Sequence, residues 1–417
     1  MPPQRAHAQT LRALDALNFC LADVQTGVGP FLAIYLATRG WNEQSVGIAL
    51  TVAGISGIAT QTPAGALVDA VRAKRALVAA AVCALVAGAM LIAFLPTPVA
   101  IMAAQVLIGG TASIFIPAVC AMSLGVVGRD AFDRRQGRNQ TFNSAGNVFA
   151  ALSMGLVGYL ISNRAIFFFV AFAAVPTLLA LVAIRSNDID YEIARGANGG
   201  PEADSTAKRA RIRDLLADRP LAVFLACAVM FHFANAAMLP LLGERLAKGQ
   251  GRSSMLFLAA CVVTTQLVIT LIASWSGRKA GEWGRKPLLL IAFGVLPIRG
   301  VLYTLTDVPA LLVGIQVLDG VGAGIFGVVS VLVIADLTRG TGRFNLTLGA
   351  VNAAVGIGAS LSQVVAGSIV HHVGSRAGFS FLAAVAAAAL AILYVAMPET
   401  RTPLPATPTT GRRRTRA

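Results

Sequence analysis

Long apolar stretches alternate with short polar segments along the whole chain, and the alternation runs through twelve cycles. The apolar runs cover residues 12–38, 44–70, 76–95, 98–123, 139–161, 165–185, 218–242, 254–275, 287–306, 309–335, 345–370 and 376–397. The hydrocarbon core of a bilayer is about 30 Å thick, so a spanning helix needs roughly 20 mainly apolar residues. Each run meets that length. Lipid offers no partner to an unpaired backbone N–H or C=O, so each run is predicted to be helical. The pattern therefore predicts an all-α polytopic membrane protein with twelve transmembrane helices.

Composition excludes a soluble domain of this size. Hydrophobic residues make up 56% of the chain and charged residues 13%, with a mean hydropathy of +0.73. The formal net charge of +15 could point to nucleic acid, but its distribution points elsewhere. Most of the 34 Lys and Arg fall on one side of the predicted topology: both termini, the central segment and alternate loops. The opposite loops hold Arg39, Arg164, Arg245, Lys248, Arg252 and Arg376, and Arg299 lies inside a span. This asymmetry puts both termini in the cytoplasm, and the high Ala, Gly and Arg content fits a bacterial inner membrane. Aromatic residues that could stack on bases do not accompany the basic ones, so no nucleic-acid partner is expected. The first apolar run is a full-length span and not the short core of a cleavable signal. Cys20, Cys83, Cys120, Cys227 and Cys261 all fall in spans without a CxxC pair, which predicts free thiols, no metal cluster and no cofactor.

The two halves repeat. Gln105-Val-Leu-Ile-Gly109 matches Gln316-Val-Leu-Asp-Gly320, Gly137-Arg138 and Asn147 match Gly342-Arg343 and Asn352, and Pro30 matches Pro240. All lie about 210 residues apart, the sign of a duplicated unit. The chain thus divides into a first six-helix bundle (1–185), a linker (186–217), a second six-helix bundle (218–397) and a basic tail (398–417). The linker's Lys208-Arg209-Ala-Arg211-Ile-Arg213 reads as a stretch lying on the membrane surface.

Twelve spans in a 6 + 6 repeat, with the segment Gly65-x-Leu67-x-Asp69…Arg72-x-Lys74-Arg75 after the second span, resemble the major facilitator superfamily. The resemblance implies two pseudo-symmetric bundles around a central cavity, lined mainly by the first, fourth, seventh and tenth helices. It also implies a monomer whose solute site lies near the midplane. Gly65, Asp69, Arg72, Lys74 and Arg75 then form a gating loop between the bundles.

Polar groups inside spans are costly and mark function. Asn18, Asp23 and Gln25 fall in the first span, Gln105 in the fourth, His232 and Asn235 in the seventh, and Gln316 and Asp319 in the tenth. Asn18, Asp23, Gln25, Gln105, His232, Asn235 and Gln316 are the candidate solute-binding residues. Asp23, His232 and Asp319 are the candidate proton carriers, since cavity burial shifts a carboxyl or imidazole toward its neutral form. Arg299 and Asp319 lie within about 6 Å of each other in depth at ~1.5 Å per residue, which predicts an intramembrane ion pair. No HExxH, GxSxG or phosphate-cradling loop is present, so an enzyme is not expected. The leading expectation is a proton-coupled secondary transporter that exports a small organic compound. Proton-driven uptake, metal or metal-chelate transport, and a receptor or scaffold are the alternatives.

Overall fold

The computed structural model describes residues 3–26, 29–128, 131–194, 217–338 and 344–400. The first half contains α1 (Pro3–Thr26), α2 (Pro30–Thr38), α3 (Glu43–Ala70), α4 (Lys74–Phe94), α5 (Pro98–Val127), α6 (Phe132–Leu160) and α7 (Ala165–Ala183). A short turn of helix, α8 (Tyr191–Ala194), follows. The second half contains α9 (Arg219–Ala236), α10 (Met238–Gln250), α11 (Ser254–Trp283), α12 (Arg285–Leu305), α13 (Pro309–Leu337), α14 (Phe344–Val373) and α15 (Ser375–Ala396).

Helix starts follow local chemistry. Asn42 caps α3 by accepting from Ser45 N–H at 2.8 Å, and Thr97 and Asp218 cap α5 and α9. Proline opens α2, α5 and α13, where its missing N–H costs nothing. Among the described residues, eight helical tracts are by themselves long and apolar enough to cross a bilayer, and the tract Arg219–Trp283 holds two crossings. The pair α1–α2, with α3 and α6, completes twelve. The polar positions of α6 lower its mean hydropathy.

Two expectations about boundaries change. The first and seventh spans are each broken: α1 stops at Thr26 and α2 begins at Pro30, while α9 and α10 meet at Ala237. Pro240 explains the second break, because it leaves the carbonyl of Ala236 without its helical N–H donor. Gln363 of α14 supplies one instead, with Nε2 3.1 Å from Ala236 O, and Ser362 Oγ accepts from Ala237 N–H at 3.2 Å. The segment expected as a gating loop is mostly helix: Gly65 and Asp69 lie in α3, and only three residues separate α3 from α4. The basic stretch of the linker lies outside the described residues.

The halves pack alike. α1 packs on α6 and α3 on α5; correspondingly α9 packs on α14 and α11 on α13. Across the seam α3 meets α14, and α6 meets α11. One core holds Leu14, Phe31, Val82 and Phe167; a second holds Phe224, Phe293, Phe326 and Leu393. The outer surface is apolar, with Phe172, Val182 and Val395 exposed, as a lipid-facing surface requires.

Candidate functional site

Small residues set the closest approach of the two halves. A Cβ on Gly47 would lie 2.2 Å from Gln363 O, one on Gly54 2.1 Å from Ser360 Oγ, and one on Gly367 2.4 Å from Glu43 O. Thr51 Oγ1 donates to Ser360 O at 2.7 Å. On the opposite seam Gly155 lies against Ala259 and Gly158 against Met255. Lys248 pairs with Glu43, whose other oxygen lies 3.9 Å from His371 Nδ1. All these contacts cluster toward the end of the molecule where α3 begins and α14 ends, and they hold the halves together beneath a pocket of about 600 Å³ at that surface.

At the other end the described polar contacts stay within each half. Lys74 Nζ donates to Val68 O at 2.6 Å, and Arg75 donates to Leu181 O and Ser186 Oγ at 2.9 and 2.8 Å. Arg285 pairs with Asp336 at 3.0 Å. Arg72 is exposed, Gly65 has open space beside it, and the Asp69 side chain lies outside the described residues. A cleft of about 750 Å³ lies between α6, α11 and α13, from mid-depth toward this end. Near the two broken helices a cavity of about 300 Å³ is lined from both halves, including Pro30, Gln105, Pro240 and Gln363.

The second half has a buried polar cluster. Arg299 is 1% exposed. It donates from Nη1 to Asp319 Oδ1 at 2.7 Å and to Asn235 Oδ1, and from Nη2 to Gln316 Oε1 at 3.1 Å. Its Nε faces Tyr303 Oη at 3.3 Å, and Thr265 Oγ1 donates to Asp319 Oδ2 at 3.2 Å. Four of the sequence-predicted residues therefore meet at one guanidinium, whose planar fork can satisfy several acceptors at once. Sequence reasoning missed Tyr303 and Thr265. Tyr303 stands one helical turn from Arg299 and could have been found by that spacing. His232 packs edge-on against Phe326, 5.0 Å between ring centres, and its Nε2 has no hydrogen-bond partner among the described residues. Gln105, which lines the cavity at the broken helices, donates from Nε2 to Ala49 O of its own half at 3.2 Å.

The first half holds a different arrangement. Asp15 accepts from Arg135 at 2.7 Å and from Arg138 at 2.8 Å. Arg135 also donates to Asn139 Oδ1 at 2.8 Å, and Asn139 bridges to Asn18 and Ser123 at 3.1 and 2.9 Å. Above this network lies a cavity of about 280 Å³. Asn18 and Gln25 of α1 line it, as do Gln136, Asn139, Gln140, Asn143 and Asn147 of α6. Phe115, Ile116 and Val119 of α5 form its apolar side. The α6 amides recur at three and four residues, one face of a helix. That signal was present in the sequence; only their place in the fifth span, outside the four helices expected to line the cavity, hid it. Asp23 lies on α1 with Asn18 and Gln25, and its side chain is outside the described residues.

Comparison with known proteins agrees with the architecture. The sequence model of the Major Facilitator Superfamily matches residues 14–298 and 275–416. An uncharacterized MFS-type transporter of Mycobacterium tuberculosis strain H37Rv is 45% identical over 401 residues, covering 96% of this chain and 94% of the relative. A counterpart in strain CDC 1551 matches equally. Among solved structures, nucleoside transporter NupG superposes with a TM-score of 0.72 at 14% identity, covering 93% of this chain and 97% of its own. A D-xylose-proton symporter gives 0.73 at 13% identity, covering 95% and 98%. At those identities the likeness is one of fold.

Proposed function

The chain belongs to the major facilitator superfamily, a family of multi-pass membrane transporters and not of enzymes, and from that premise we propose that it exports a small organic solute across the bacterial inner membrane by proton-coupled alternating access. The observation that carries this reading is the asymmetry of the seam. The halves are held together at one end by Gly47, Gly54 and Gly367, and parted toward the other by the cleft between α6 and α11. Alternating access needs two such states that exchange by one half rocking on the other around a fixed site. With both termini in the cytoplasm, the parted end faces inward. In export, a molecule open on that side takes solute from the cytoplasm and releases it outside. Proton-driven uptake reverses that order.

Asp23, His232 and Asp319 remain the proposed proton carriers. Asp319 has Arg299 as its partner, so its proton would exchange only when that pair opens. Asp23→Asn is expected to abolish the pH dependence of flux in proteoliposomes while leaving insertion and folding intact. Wild-type, pH-dependent flux in that variant would remove the coupling role. Solute accumulation in everted vesicles driven by an inwardly acid gradient tests direction, and accumulation in right-side-out vesicles would favour uptake instead.

The segment from Gly65 to Arg75 is proposed to latch the charged ends together in the opposite state. Asp69→Asn is expected to favour the inward-parted state by roughly 5–30-fold. Spin labels at the charged ends of α3 and α14 would report it. An unchanged distance distribution would leave the segment a topological role alone.

A further inference from the structure

We infer that the amide-lined cavity of the first half binds an uncharged, hydroxyl-rich solute of one or two rings, of the sugar or nucleoside class. This rests on the transport reading and narrows it. Five of the seven carboxamides lie on α6, at positions 136, 139, 140, 143 and 147, all on one face. A helix in a membrane bundle gains nothing in packing from such a stripe, because each polar group left unpaired there costs free energy.

Part of the stripe is structural. Asn18 and Asn139 are held in the Arg135–Asp15 network. The remainder has capacity left over. Gln25 donates one N–H to Leu21 O at 3.2 Å, and Asn143 accepts from Asn147 at 3.3 Å. A carboxamide offers two donors and an acceptor with two lone pairs, so among the described contacts Gln25 and Asn143 keep positions open toward the cavity.

Among the described residues, charge is spent before it reaches the cavity. Asp15 lies 2.7 and 2.8 Å from two arginines. The described lining offers amides, apolar side chains and the Cys120 thiol, with no carboxylate, ammonium or guanidinium. An ionised solute would lose its hydration there and find no counter-charge among the described side chains. A neutral solute with several hydroxyls finds donors and acceptors together, since a hydroxyl is both. Across from the amides, Phe115, Ile116 and Val119 give an apolar wall for the C–H face of a sugar ring or the face of a base. The volume of about 280 Å³ falls just below the ~300 Å³ at which drug-sized sites begin. That size favours one or two rings over a bulky drug.

The test is equilibrium binding to the purified full-length protein in nanodiscs. The probes are D-glucose, D-xylose and uridine as neutral solutes, glucosamine as a cation, glucuronate as an anion and ethidium as an apolar cation. A neutral probe is expected to bind at least tenfold more tightly than the charged ones. Asn143→Leu and Gln140→Leu should each weaken it about tenfold, the worth of one hydrogen bond, with an unchanged melting profile. Asn143→Asp should raise the affinity for glucosamine, which a purely structural amide would not do. Preference of the wild type for a charged or apolar probe, failure of every neutral probe to bind, or wild-type affinity in both Leu variants would overturn the inference. Flux in proteoliposomes separates the two readings. Ethidium export without neutral binding leaves transport standing and removes this site, whereas neutral binding without flux of any probe does the reverse.

Discussion

Gly47→Val is expected to unseal the closed end and drive the protein toward its outward-open state. The added Cβ would sit 2.2 Å from Gln363 O and 2.9 Å from Gln363 C, both backbone atoms that no rotamer change can move. Gly54 and Gly367 hold the same crossing close, so α3 and α14 would have to separate along their contact. Overpacking of this kind costs about 1–3 kcal/mol, and that energy is charged only to the state in which the seam is closed. The population ratio should therefore change by roughly 5–150-fold. Spin labels at Gln44 and Ser375 should move apart, and flux should fall because the cycle stalls. An unchanged distance with wild-type flux would show that the seam is not the element that moves. Gly314→Val, at a position with open space beside it and outside both the seam and the Gly65–Arg75 segment, is the matched control.

The second large effect is expected at the buried guanidinium. Arg299→Ala leaves Asp319 buried without its cation, and Asn235 and Gln316 without their donor. Breaking a buried pair by removing one partner costs about 3–5 kcal/mol, while removing both costs much less. Arg299→Ala should therefore lower the melting temperature more than Arg299→Ala combined with Asp319→Ala. Strictly additive losses around this double-mutant cycle would show that the two residues do not couple. Tyr303→Phe, which removes one acceptor from the same guanidinium, should fall well short of Arg299→Ala.

Much of this architecture is legible in one dimension because a bilayer is a uniform solvent. Span length, the one-sided placement of Lys and Arg and the presence of polar groups at mid-depth each depend on a residue's own position relative to that solvent. Arg299 and Asp319 could be matched by depth alone, since neighbouring helices share the membrane axis. Gln105 illustrates the limit. Its depth in the fourth span predicts a cavity residue, and it does line the cavity at the broken helices, but only the rotation about the helix shows that its Nε2 is held by Ala49 O. His232 likewise lies at the expected depth, yet packs among Phe231 and Phe326.

The sequence by itself determined twelve membrane-length helices, two related halves, and which polar residues had to be kept from lipid. Only the tertiary structure decided that Pro240 breaks its helix with Gln363 answering the freed carbonyl, that the glycines of α3 and α14 close one end, and that α6 turns its amides into a cavity. The division has one physical cause. Burial in lipid acts on each residue along a single coordinate, whereas the seam, the cluster and the cavity depend on how neighbouring helices are rotated and how closely their backbones approach.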